Sequence, residues 1–105
     1  MMEPLPLACV PGAIPLADRS AHFELMQRLF AAGERTPLND GYAFRFPAER
    51  LAEVARFVEN ERRCCPFLTF RIILLAGDET IRLEMSGPEG TRAFLHAELP
   101  VADGA

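Results

Sequence analysis

Two cysteines stand side by side, Cys64 and Cys65, in the stretch ERRCCPFLTF. Thiolates are soft ligands that prefer Cu(I), Zn(II) and heavier thiophilic ions to Mg(II) or Ca(II), so an adjacent pair can offer both sulfurs to one ion. A closed tetrahedral zinc site needs four ligands, usually from paired Cys-x-x-Cys or histidine spacings, and neither spacing occurs in this chain. A digonal or trigonal ion asks for less. Cys64 and Cys65 supply two sulfurs, and Cys9 supplies a third if the first segment runs beside the end of the helix that carries the pair. Glu61 precedes Cys65 by one helical turn, where it can give an oxygen to the ion or pair with an arginine. The ions that suit this donor set are mercury(II), copper(I) and trivalent arsenicals.

The same residues allow other chemistry. Adjacent Cα atoms lie about 3.8 Å apart across a trans peptide, below the usual disulfide span. A Cys64–Cys65 disulfide would therefore be strained, easily reduced and usable as a redox switch. Cysteine also serves simply as a small buried hydrophobe. Arg62 and Arg63 favour thiolate, whereas Glu61 and the negative end of a helix oppose it. His22 and His96 are distant in sequence and read as surface or boundary residues, each on its own helix. With no recognisable orienting residue or oxyanion loop, the sequence predicts a binding protein sooner than an enzyme.

A chain of 105 residues makes one domain with one modest core. Half of it is hydrophobic and a quarter charged, the balance of a folded protein. A net charge of -4 and a pI near 5.1 argue against bulk attraction to nucleic acid or anionic lipid. The aromatic residues Tyr42, Phe44, Phe46, Phe67 and Phe70 accordingly read as core and not as a base-stacking platform. The first residues carry no positive start or unbroken apolar run, and no stretch approaches the roughly 20 apolar residues of a membrane span. The expected address is the cytoplasm, where three cysteines are reduced thiols.

The elements that must hold these residues follow from periodicity. Leu7 to Val10 reads as a short edge strand between prolines. Ala17 to Ala32 reads as a helix, capped by Asp18 or Ser20, with Phe23, Met26, Leu29 and Phe30 inward and Gly33 as its stop. Tyr42, Phe44 and Phe46 alternate as a strand. Ala48 to Cys64 has the strongest helical pattern, with Leu51, Val54, Ala55 and Val58 as its apolar stripe, and Pro66 ends it. On that helix Cys65 falls toward the core and Cys64 toward its rim. A hairpin follows about Gly77 and Asp78, with Ile81, Leu83 and Met85 inward, and a last helix runs from Pro88 to Leu99. Together these predict an α+β two-layer sandwich, a three- or four-stranded mixed sheet with helices on one face. The Tyr42 and Phe67 strands are expected to be parallel, joined by a right-handed crossover.

The motif Glu61-x-x-Cys64-Cys65-Pro66-Phe67, with Phe70, resembles one in small uncharacterised bacterial proteins associated with heavy-metal resistance. The cysteine pair alone is similar to that of mercuric-ion transport proteins, which hold theirs in a membrane helix that this chain lacks. The expectation is a small soluble thiol protein that captures a soft metal ion or other thiophilic small molecule for buffering, delivery or sensing. A thiol redox protein and an interaction domain with structural cysteines, dimerising through a strand edge, are the alternatives.

Overall fold

The computed structural model describes Val10 and residues 12–99. Helix α1 spans Leu16–Ala31, strands β1 and β2 span Glu34–Leu38 and Gly41–Pro47, and a single 3-10 turn at Ala48–Arg50 leads into helix α2, Leu51–Cys64. Strands β3, Thr69–Leu74, and β4, Thr80–Ser86, follow, and helix α3, Thr91–Glu98, closes the fold. The four strands form one sheet in the order β1-β2-β4-β3. All three helices contribute to the core on one face of it, as a two-layer α+β fold requires.

Every neighbouring pair of strands is antiparallel, so the sheet is not mixed. β2 and β3 do run in the same direction, with α2 crossing between them, but β4 lies between the two and pairs with both. The inward residues of β4, Ile81, Leu83 and Met85, are fully buried, as a central strand's are, whereas the edge strand β3 is half-exposed along its length. The hairpin turn is fixed by Gly77 at φ +79 and by Asp78, whose Oδ1 accepts from the Thr80 amide at 2.8 Å and hydroxyl at 2.7 Å.

Phe30 is the hinge pin of the core. Its ring meets Phe44, Phe46 and Phe57 edge to face, with centroids 5.0, 5.4 and 4.9 Å away. It thus ties α1 to both β2 and α2, and truncating so central a ring costs about 3–5 kcal/mol. Phe67 and Phe94 make a similar contact at 5.0 Å, which seats α3 beside the end of β3.

Four differences from the sequence reading bear on the site. First, α1 is rotated by one residue: Phe23 is 59% exposed, and His22 and Leu25 face inward with Leu29 and Phe30. Apolar residues are scattered around this helix, so its phase is set by its partners. Second, β1, a stretch to which the sequence reading assigned no element, forms a strand despite Pro37 and two charged residues, because an edge strand tolerates a missing donor. Third, α3 begins at Thr91, since Gly90 sits at φ +95 and breaks the helix expected from Pro88. Fourth, no side chain caps α1, which starts after Pro15. The proposed strand at Leu7 to Val10 lies outside the described residues except for Val10, which is not in a strand.

Candidate functional site

Helix α2 shows three consecutive inward positions, Val54, Phe57 and Glu61. Two are apolar and one is a carboxylate, and Cys65, one turn further on, continues the same stripe. Cys65 is 0% exposed, and its amide closes the helix on the Glu61 carbonyl at 2.7 Å. The extended angles of Cys65, φ -122 and ψ 78, are those a residue before proline takes. Pro66 therefore stops the helix with one thiol turned into the core. Cys64, about 100° back around the helix, is half-buried at its rim. The two lie 4.1 Å apart and are not joined to each other by a disulfide.

Glu61 has an unusual place for a carboxylate: 8% of it is exposed, and a buried charge is tolerated only when paired and hydrogen-bonded. Its Oε2 lies 3.0 Å from His22 Nε2 on α1, and its Oε1 accepts from the Cys65 thiol at 3.5 Å. The phase shift of α1 is what delivers His22 here, stacked on Phe57 with centroids 6.0 Å apart.

The direction of each bond can be deduced from donor inventories. Arginine has donors only, so the Asn60 atom 3.0 Å from Arg63 is its oxygen. Asn60 then turns its Nδ2 to His22 Nδ1 at 3.3 Å, making that ring nitrogen an acceptor. The imidazole proton is left on Nε2, pointing at Glu61. The chain runs Arg63 to Asn60 to His22 to Glu61, and Cys65 donates to Glu61 from the other side. Glu61 accepts at both oxygens, a task suited to an ionised carboxylate.

Access to the two ends differs. His22 lines a groove of about 440 Å³ between α1 and α2, with Asp18, Arg28, Arg56 and Asn60 among its walls. Cys64 lines a separate cavity of about 320 Å³ with Val10, Gly12, Ala13, Ile14 and Arg19. The Val10 amide donates to the Cys64 carbonyl at 2.7 Å, which satisfies one of the last helix carbonyls and lays the incoming chain beside the pair.

The expected ligands are only partly brought together. Cys64, Cys65 and Glu61 share one helix end, while Cys9 lies outside the described residues. Among the described residues, no group of three His, Cys, Asp or Glu side chains surrounds a point where an ion would sit. Glu61 faces Cys65 and His22 as an acceptor. Arg63 bonds Asn60 and the Glu59 carbonyl, and Arg62 lines a different cavity with Val58, Pro66, Leu68 and Phe70. His96 lies beside Tyr42 of β2, whose hydroxyl is 3.4 Å from its Nδ1.

His22 and Asn60 are the site residues that the sequence reading missed. The signal was present in the spacing His22, Leu25, Leu29, an inward stripe as regular as the one chosen. Among the described residues no helix is long and apolar enough to cross a membrane. No protein-family model, curated protein or solved structure matches the chain.

Proposed function

We propose that Cys64 and Cys65 form a two-sulfur site for a soft ion, mercury(II), copper(I) or a trivalent arsenical, which the protein holds for buffering, delivery or sensing. The observation that carries this reading is the Cys65 thiol donating to Glu61, itself held by His22. A cysteine that merely packs needs no acceptor. A cysteine that becomes a metal thiolate must lose its proton, and Glu61 stands where that proton would go. Cys64 makes first contact from its cavity, and Cys65 closes on the ion from the core side. Two sulfurs on adjacent residues suit a low coordination number, whereas zinc prefers four ligands. Cys9 remains the candidate for a third sulfur.

Native mass spectrometry of the reduced protein with sub-stoichiometric Hg(II), Cu(I), Zn(II) or As(III), against glutathione as competitor, tests this. One ion retained per chain, and lost in Cys64→Ser/Cys65→Ser, is the expected result. Failure to retain any ion against glutathione overturns it. A two-electron change confined to this pair under mild oxidant, without ion retention, would instead support the redox switch.

A further inference from the structure

The two thiols differ in access, and that difference implies a route. Cys65 is wholly buried, so an arriving reagent must meet Cys64 first. The cavity on which Cys64 opens has a volume of about 320 Å³, the low end of the roughly 300–1,000 Å³ range of small-molecule sites. Its walls are mostly apolar, from Val10, Ala13 and Ile14, and Arg19 is the cation among them. Arg19 is anchored: its Nε donates to the Ile14 carbonyl at 3.2 Å. That bond does not use the two Nη groups, which form the edge of the guanidinium that binds carboxylates in a fork. Cys64, an apolar wall and the tethered Arg19 line one small hollow.

We propose that this cavity is a receiving site for a small carboxylate-bearing thiol that carries the ion, with Arg19 taking the carboxylate and Cys64 exchanging at the metal. The proposal rests on the soft-ion reading above for its cargo. In a cell, a thiophilic ion is held by abundant low-molecular-weight thiols and not by water, so delivery means ligand exchange. In the first step the Cys64 sulfur bonds to the metal of a bis-thiolate complex, one carrier sulfur leaves, and the Cys64 proton goes out on it. In the second step Cys65 displaces the remaining carrier thiol, its proton passing by way of Glu61 to the departing sulfur. Each step makes one metal–sulfur bond and breaks one, and the oxidation state of the metal does not change. Arg19 acts in the first step, before the ion is held by both cysteines.

The cavity can be probed without any metal. Iodoacetate and iodoacetamide alkylate the same thiolate and differ in carrying a carboxylate or a neutral amide, so the ratio of their rates at Cys64 cancels thiolate reactivity and reports carboxylate recognition. The rates are read peptide by peptide by mass spectrometry on the reduced full chain, in the parent, in Arg19→Gln and in Arg45→Gln. Arg45 lies on the open face of the sheet and gives the same change in net charge. The expected result is a fall in the ratio of about threefold to tenfold in Arg19→Gln, the scale of one charge-assisted contact, and little change in Arg45→Gln. Equal ratios in the parent and Arg19→Gln, or equal falls in both variants, overturn the proposal. The same samples are then loaded from a mercury(II) complex of glutathione and from one of 2-mercaptoethanol. Slower loading of Arg19→Gln from the glutathione complex alone supports the exchange route, and equal slowing from both refutes it. If the parent retains no ion while the alkylation ratio still depends on Arg19, the soft-ion reading falls and the carboxylate pocket stands.

Discussion

Glu61→Gln separates a carboxylate that accepts twice from one that merely fills space. Glutamine has nearly the shape of glutamate but a single acceptor oxygen. Since His22 presents a proton on Nε2, 3.0 Å from the carboxylate, the glutamine oxygen must turn toward it. The amide NH2 then faces Cys65, whose thiol proton loses its acceptor. A hydrogen bond to a charged group contributes about 1.5–3 kcal/mol and a neutral one about 0.5–1.5 kcal/mol. The exchange at His22 therefore costs about 1 kcal/mol, and the weaker thiol contact adds a fraction to that. Glu61→Ala strands both donors and leaves a small void, for a loss of about 3 kcal/mol.

An opposing effect must be weighed, because burying a charge costs desolvation that glutamine avoids. The directional chain from Arg63 through Asn60 and His22 predicts that the hydrogen bonds prevail. Urea unfolding of the parent, Glu61→Gln, Glu61→Ala, His22→Phe and the Glu61→Gln/His22→Phe double variant gives the ledger. His22→Phe keeps the stack on Phe57 and removes the donor. A coupling energy above about 0.5 kcal/mol between the two sites is expected for residues in one hydrogen-bond network. The reasoning is refuted if Glu61→Gln is as stable as the parent or more so, or if the two substitutions add independently.

Two predictions concern the frame around the site. A Cβ at Gly41 would run into the backbone carbonyl oxygen of Met85 on the neighbouring strand, so Gly41→Ala should cost about 3 kcal/mol or more, the upper end of overpacking, read as a lower urea midpoint. Glu53 accepts from Arg50 at 2.8 Å and from Arg28 at 2.9 Å, and these two guanidinium groups, Arg50 first, hold its carboxyl below the ordinary range. A depressed folded value means that its contribution is complete above the ordinary glutamate value and is lost as pH falls below it. Glu53→Gln should lower the melting temperature slightly near pH 7, by an amount corresponding to under about 1 kcal/mol for so exposed a cluster, and the difference from the parent should shrink steadily as pH falls below the ordinary glutamate value; a difference independent of pH down through the acid range refutes the ion-pair account.

The parts of the fold that could be read from the sequence are those in which local pattern and tertiary demand agree. Ile81, Leu83 and Met85 alternate cleanly and are all buried; the Ala48 to Cys64 pattern, Pro66 and the Gly77-Asp78 turn likewise give the long helix, its end and the hairpin. The illegible parts are settled by distant contacts. No local rule places β4 between β2 and β3, because strand order depends on which strand can best bury both neighbours. No local rule turns His22 inward either, since a histidine looks polar until the carboxylate it meets, 39 positions later, is known. The cysteine pair was visible at once, but the acceptor behind Cys65 was visible only as a glutamate among many on a charged helix.

The adjacency of the two cysteines acquires a physical meaning from the end of α2. One residue of rotation separates a thiol that opens on a cavity from a thiol sealed in the core against a carboxylate. A Cys-x-x-x-Cys or Cys-x-x-Cys spacing would instead stack both sulfurs on one face of the helix, giving both the same environment. The step of a single residue, taken where Pro66 forces the chain out of the helix, divides the pair into a half-buried cysteine and a buried one, the contact and closing thiols of the proposed capture. Arg19 stands on the contact side and Glu61 with His22 on the closing side. Helix α1 contributes to both sides, the guanidinium to one and the imidazole to the other, while the carboxylate comes from α2 itself. A shift of α1 against α2 would therefore disturb both sulfurs at once, which makes the Phe30 ring, holding α1 on the sheet and on α2 together, as much a part of the site's geometry as the cysteines.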